Sequence, residues 1–101
     1  MYVLVWEFRV RPGAEATFEQ LYGATGGWVA LFVAAPGYRG TELLRAEGGP
    51  RRYLTIDRWE SRRAYEAFRQ RAPARYRELD EVGEGLTEAE ALVGKFTALG
   101  P

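Results

Sequence analysis

Cysteine, histidine and asparagine do not occur anywhere in these 101 residues. Without cysteine there is no disulfide, no thiolate metal site and no cysteine nucleophile. Without histidine the usual haem and metal ligand is missing, as is the commonest general base at neutral pH. No metal and no cofactor are therefore expected. Serine is represented by Ser61 alone, methionine by Met1 and lysine by Lys95. Arginine outnumbers lysine thirteen to one. Poverty in Asn, Cys and Met fits a thermophile or a GC-rich genome. No apolar run reaches membrane-spanning length and no signal-peptide pattern opens the chain, so a cytoplasmic protein without a membrane partner is expected.

What is present is apolar and aromatic. Hydrophobic residues make up 47% and aromatic residues 14% of the chain, enough to build one modest core in a single domain spanning 1–101. The formal net charge is zero but unevenly spread. Nine arginines between Arg51 and Arg77 face only Asp57, Glu60 and Glu66, whereas Glu78 to Glu90 holds six acids and no base. Such runs ordinarily solvate helix faces or pair with each other. No basic motif interleaved with aromatics supports a nucleic-acid partner.

Tyr2 to Val10 alternates as a strand and stops at the turn signal Pro12-Gly13. Tyr2, Leu4, Trp6, Phe8 and Val10 share one face; Val3, Val5, Glu7 and Arg9 share the other, so half the strand is apolar on both sides. Ala14 to Gly23 has helical spacing through Phe18, Leu21 and Tyr22. Gly26-Gly27 lacks the spacing of a phosphate cradle and reads as a bend before a short helical turn at Trp28 to Phe32. Tyr38 to Arg45 and Arg51 to Trp59 form a hairpin around Gly48-Gly49-Pro50. Ser61 is placed as an N-cap for a helix through Ala64, Tyr65 and Phe68, which ends or kinks at Pro73 and resumes through Tyr76 and Leu79. Thr87-Glu88-Ala89-Glu90 fits a capping box and predicts one more short helix. Val93 to Leu99 is the last strand.

The order β-α-β-β-α-β is that of an α+β, ferredoxin-like fold with a four-stranded antiparallel sheet. Helices would cover one face of the sheet. The other is apolar and bare, which predicts a homodimer formed through that open face.

The stretch "YLTIDRWES" at Tyr53 to Ser61, with Ala64 to Phe68 and the late "TEAEALVGKF", resembles the antibiotic biosynthesis monooxygenase domain. "FRVRPGAEATFEQLYG" and "PGYRGTELLR" extend the likeness over nearly the whole chain. The resemblance implies the dimeric α/β-barrel superfamily, with a pocket between helices and sheet. Cofactor-free members oxidise polycyclic phenols to quinones, using a Trp at the end of the third strand and a Tyr on the following helix. Trp59 and Tyr65 match these. An Asn of those enzymes falls where this chain has Thr55 or a neighbour, and an Arg is matched by Arg77. Haem-degrading relatives need an Asn near the position of Trp6 and a His, and this chain has neither.

The expected function is that of a cofactor-independent monooxygenase-like protein binding a small aromatic or quinone-like molecule. Trp59, Tyr65 and Arg77 are the candidate catalytic residues, and Trp6, Trp28, Thr55 and Asp57 the candidate ligand contacts. Asp57, the one acid inside the third strand, is either a base or half of a structural salt bridge. The alternative is a non-catalytic homodimeric binding or interaction module of the same fold. The pocket discriminates between them. An open aromatic cavity reached by Tyr65 and an arginine favours the enzyme; one filled by Trp6, Trp28 and Trp59 favours the module.

Overall fold

A computed structural model of the chain describes residues 1–100. Its elements run β1 (Tyr2–Val10), α1 (Glu15–Tyr22), α2 (Gly27–Phe32), β2 (Tyr38–Arg45), β3 (Arg52–Trp59), α3 (Arg62–Gln70), α4 (Ala74–Leu86) and β4 (Thr87–Thr97). The four strands form one antiparallel sheet in the order β2-β3-β1-β4, the ferredoxin-like arrangement.

Register fixes which side chains share a face. Leu4 lies opposite Asp57, Trp6 opposite Thr55 and Phe8 opposite Tyr53, and all of these point to the helices. There they meet Phe18 and Tyr22 of α1, Trp28 and Phe32 of α2, Phe68 of α3 and Leu79 of α4. The core is aromatic to an unusual degree: Phe18 stacks on Tyr22 with centroids 4.2 Å apart, and Phe8 tilts against both. Such pairs add about 0.5–1.5 kcal/mol each beyond the area they bury.

The helix boundaries follow local chemistry. Ser61 caps α3 by accepting the Ala64 amide at 3.1 Å. Pro73, which lacks an amide proton, separates α3 from α4 and stands at the latter's N-cap. Gly37 adopts φ +88°, and a Cβ there would come within 2.6 Å of Ala64 Cβ, so only glycine lets β2 start so close to α3.

The expected short helix at Thr87–Glu90 does not form. That segment is the start of β4, paired with β1 through Thr87 to Val10 and Glu90 to Phe8. The ladder with a central strand outweighs the local capping preference. Thr87 instead serves the end of α4, donating its hydroxyl to the Gly83 carbonyl at 3.2 Å. The preceding helix accordingly runs on to Leu86.

Candidate functional site

A cavity of about 310 Å³ lies between the sheet and the helices. β1 and β3 supply its floor through Leu4, Trp6, Phe8, Thr55, Asp57 and Trp59. α1 and α2 contribute Tyr22, Trp28 and Phe32. α3 and α4 bring Tyr65, Arg69, Tyr76 and Asp80, and β4 adds Glu90. The volume is at the small end of the roughly 300–1,000 Å³ usual for ligand sites.

Six of the seven residues singled out from the sequence line this cavity: Trp6, Trp28, Thr55, Asp57, Trp59 and Tyr65. Trp59 is 1% exposed and held edge-on by Tyr38, Phe32 and Tyr65. Its place is fixed by packing, with the cavity on its remaining side. Trp28 packs against Tyr22, Phe32 and Tyr76 rather than standing off as a lid. Its indole nitrogen is sealed in without a hydrogen-bond partner.

Arg77 is the exception. It is exposed on α4 and takes no part in the cavity. On that helix Tyr76, Leu79, Asp80 and Gly83 face inward, and one residue of helix rotates a side chain by about 100°, which carries Arg77 outward. The arginine that lines the cavity is Arg69 of α3. The Arg69 guanidinium donates to the Tyr76 hydroxyl at 2.8 Å and reaches the Tyr65 hydroxyl at 3.4 Å. It also lies 4.8 Å from the Tyr76 ring centroid, in cation–π contact.

Sequence reasoning missed Arg69, Tyr76, Asp80, Glu90 and Thr41. Tyr76 and Asp80 carried a usable signal, because they share a helical stripe with Leu79 and Gly83. Glu90 carried none. The β1–β4 register skips Val93, pairing Val5 with Gly94 but Trp6 with Leu92. Without that bulge Glu90 would lie opposite Arg9 on the outer face; with it, Glu90 lies opposite Phe8 and faces the cavity. Burial raises the Glu90 carboxyl above its usual range, and the neighbouring Asp80 and Glu84 carboxylates raise it further. Burial likewise raises the Tyr76 hydroxyl, against the opposing pull of Arg69.

Asp57 has no ion-pair partner among the described residues, so the salt bridge considered for it is absent. Thr41, across the strand pair on β2, donates to its Oδ1 at 2.7 Å. Tyr38 lies 2.6 Å from Thr41 Oγ1. Because the single threonine proton goes to Asp57, the Tyr38 hydroxyl is the donor in that second bond. Burial pushes the Asp57 carboxyl up to about 6, and the Thr41 bond only partly offsets this.

No group of three or more potential metal ligands occurs among the described residues. No helix among them is long and apolar enough to cross a membrane.

A family model described as antibiotic biosynthesis monooxygenase matches residues 1–76. The chain is similar to SnoaB, a cofactor-independent oxygenase from Streptomyces nogalater, at 27% identity and a TM-score of 0.79, covering 99% of this chain and 94% of that one. It is also similar to a monooxygenase from the ActVA-Orf6 gene of Streptomyces coelicolor, solved with nanaomycin D, at 26% identity and a TM-score of 0.78, covering 99% and 88%. Rv0793 of Mycobacterium tuberculosis shares the fold, with 24% identity, a TM-score of 0.73 and coverage of 99% and 96%. No curated protein sequence matches.

Proposed function

Because the chain belongs to the antibiotic biosynthesis monooxygenase family, we propose that it is a cofactor-independent monooxygenase acting on a small polycyclic phenol. The observation carrying this reading is the cavity itself: it is open, walled by aromatic rings, and reached by the Tyr65 hydroxyl and the Arg69 guanidinium. A cavity filled by the three tryptophans would have favoured a non-catalytic module. The oxygenase and the nanaomycin D complex among its structural relatives support the same reading.

A flat substrate is bounded by the aromatic side chains that wall the cavity, Trp6, Trp28 and Trp59 among them. Tyr65 orients a substrate oxygen. Arg69 stabilises the negative charge that develops when a phenol ionises. An anthrone-type methylene then supplies all the electrons. Its carbon gives up both hydrogens and takes one atom of O2 as a ketone oxygen, while the other atom leaves with those hydrogens as water. No external reductant is required. Asp57, Asp80 and Glu90 against a single guanidinium disfavour a substrate that already bears a carboxylate.

Oxygen uptake by purified protein, measured against a panel of anthrones and hydroquinones, tests the activity. Protein-dependent uptake is expected with at least one anthrone, and loss of about tenfold or more in Tyr65→Phe or Trp59→Phe. Uptake unchanged in both variants would remove these residues from the site. Binding without uptake across the panel would favour the non-catalytic module. The protein is further proposed to work as a homodimer through the open sheet face.

A further inference from the structure

Asp57 is costly to keep, and the fold draws no return from its charge. It sits on the inner face of β3 between Leu4 and Thr41, with no cation beside it. An asparagine could also accept the Thr41 hydroxyl. The one hydrogen bond the carboxylate receives, at Oδ1, therefore does not explain why the residue is ionisable. No protein donor reaches the other oxygen, Oδ2. Nor is Oδ2 sealed: the only sealed side-chain polar atom without a partner among the described residues is the Trp28 nitrogen. Asp57 lines the cavity, and Oδ2 is its carboxylate oxygen left accessible and without a protein donor.

We propose that Asp57 is the proton acceptor of this cavity, with Thr41 and Tyr38 holding its carboxylate so that Oδ2 is presented to the substrate. The inference rests on the reading of the cavity as a phenol-oxidising site and assigns the base within it. Asp57 takes the proton released when the anthrone or its phenol tautomer ionises. The resulting anion reacts with O2 at carbon to give a peroxide anion. The same proton returns from Asp57 to that anion, and the hydroperoxide loses water to leave the ketone. The carboxylate ends as it began. Its upward displacement by burial suits this role, because a base works best with a pKa near the working pH.

Other titratable groups face the same space: Arg69 and Tyr65 from α3, Tyr76 and Asp80 from α4, Tyr22 from α1 and Glu90 from β4. Glu90 is the rival for any acid limb, since it too is raised. The test follows kcat and KM for an anthrone against pH in the wild type, Asp57→Asn and Glu90→Gln. The expected result is a wild-type limb near pH 6 that disappears in Asp57→Asn. That variant should lose about a hundredfold in kcat with little change in KM. The limb should persist in Glu90→Gln. A limb that survives in Asp57→Asn, or a kcat within about threefold of wild type, would overturn the proposal.

If the wild type takes up no oxygen, the oxygenase reading fails and a second measurement decides the proton acceptor separately. The phenol of a bound hydroxyanthraquinone, read by its long-wavelength phenolate band, should titrate at higher pH in the wild type than in Asp57→Asn, because the neighbouring carboxylate opposes the phenolate. Coincident titrations would count against Asp57, and no binding to either protein would remove the cavity as a phenol site.

Discussion

A buried carboxyl without a counter-ion costs stability in a pH-dependent way, and Asp57 allows the sign to be worked out. Its ordinary value is 3.8 and burial in the fold takes it to about 6. Below about pH 4 both folded and unfolded chains hold the proton, and nothing is lost. Between about pH 4 and 6 the unfolded chain ionises first, so stability falls as pH rises, by about 1.4 kcal/mol for each pH unit. Above about pH 6 the loss, on the order of 2–3 kcal/mol, is complete. Asp57→Asn should therefore unfold at higher urea than wild type at about pH 7.5, and its stability should vary less between about pH 4 and 6. A variant less stable at that higher pH would mean that the carboxylate has a compensating partner. A second residue-scale prediction separates two arginines of the same basic run. Arg69→Ala should lower anthrone turnover by about tenfold or more, while exposed Arg77→Ala changes it by less than about twofold. The site was legible in the sequence where a residue type and a strand phase sufficed, as for Trp6 and Asp57, and where the family resemblance supplied the position, as for Thr55, Trp59 and Tyr65. For Arg69, one of nine arginines in a run, the sequence held only half the signal: its i, i+4 spacing from Tyr65 on α3 is readable, but the meeting with Tyr76 depends on how α3 packs against α4.

Among the elements, α4 and β4 carry the clearest conflict between local preference and tertiary pairing. The capping signal at Thr87 to Glu90 is genuine chemistry, yet β1 needs a neighbour on its free side and the segment supplies it. Strand phase, turn glycines and the Ser61 cap made β1, β2, β3 and α3 readable from sequence to within a residue or two, because each is set by nearby residues. The bulge at Val93 and the length of α4 depend on contacts between distant segments, and local patterns do not encode them. α4 also holds a close approach that a substitution would expose. A Cβ on Gly83 would stand 2.2 Å from the Tyr22 hydroxyl. Tyr22 has little room to yield, being packed by Phe8, Phe18 and Trp28. Gly83→Ala should therefore destabilise by about 1–3 kcal/mol despite the better helix propensity of alanine. Equilibrium urea unfolding reads this directly. Enhanced stability would show that α4 slides away from α1 at no cost.

For the molecule as a whole, the sheet's outer face is an apolar surface that no helix covers. Val3, Val5, Leu54 and Ile56 point to that side by register, and none of them joins the core cluster. Leu44 and Phe96 are 40% and 49% exposed, and Phe96 lies beside Val3 in the β1–β4 ladder. The Phe96 ring folds over Gly94, where a Cβ would meet it at 2.8 Å, so it extends the apolar patch rather than projecting from it. Two arginines on this face are matched within the chain, Arg52 with Glu7 and Arg58 with Glu42. That leaves Arg9 without an ion pair among the described residues, at the end of β1 and away from Val3 and Val5. A second copy would thus meet an apolar centre with little charge to repel it, as a two-fold contact of like surfaces requires. Sedimentation at micromolar concentration should find a dimer for the wild type and a monomer for Val5→Glu, which sets an unpaired carboxylate in the patch. The cavity, in contrast, is lined by this one chain from the opposite side of the sheet. A folded Val5→Glu monomer should therefore still bind a hydroxyanthraquinone within about threefold of wild type. Loss of binding together with dimerisation would instead make the second copy part of the site, and a Val5→Glu protein that remained dimeric would remove the outer face as the interface.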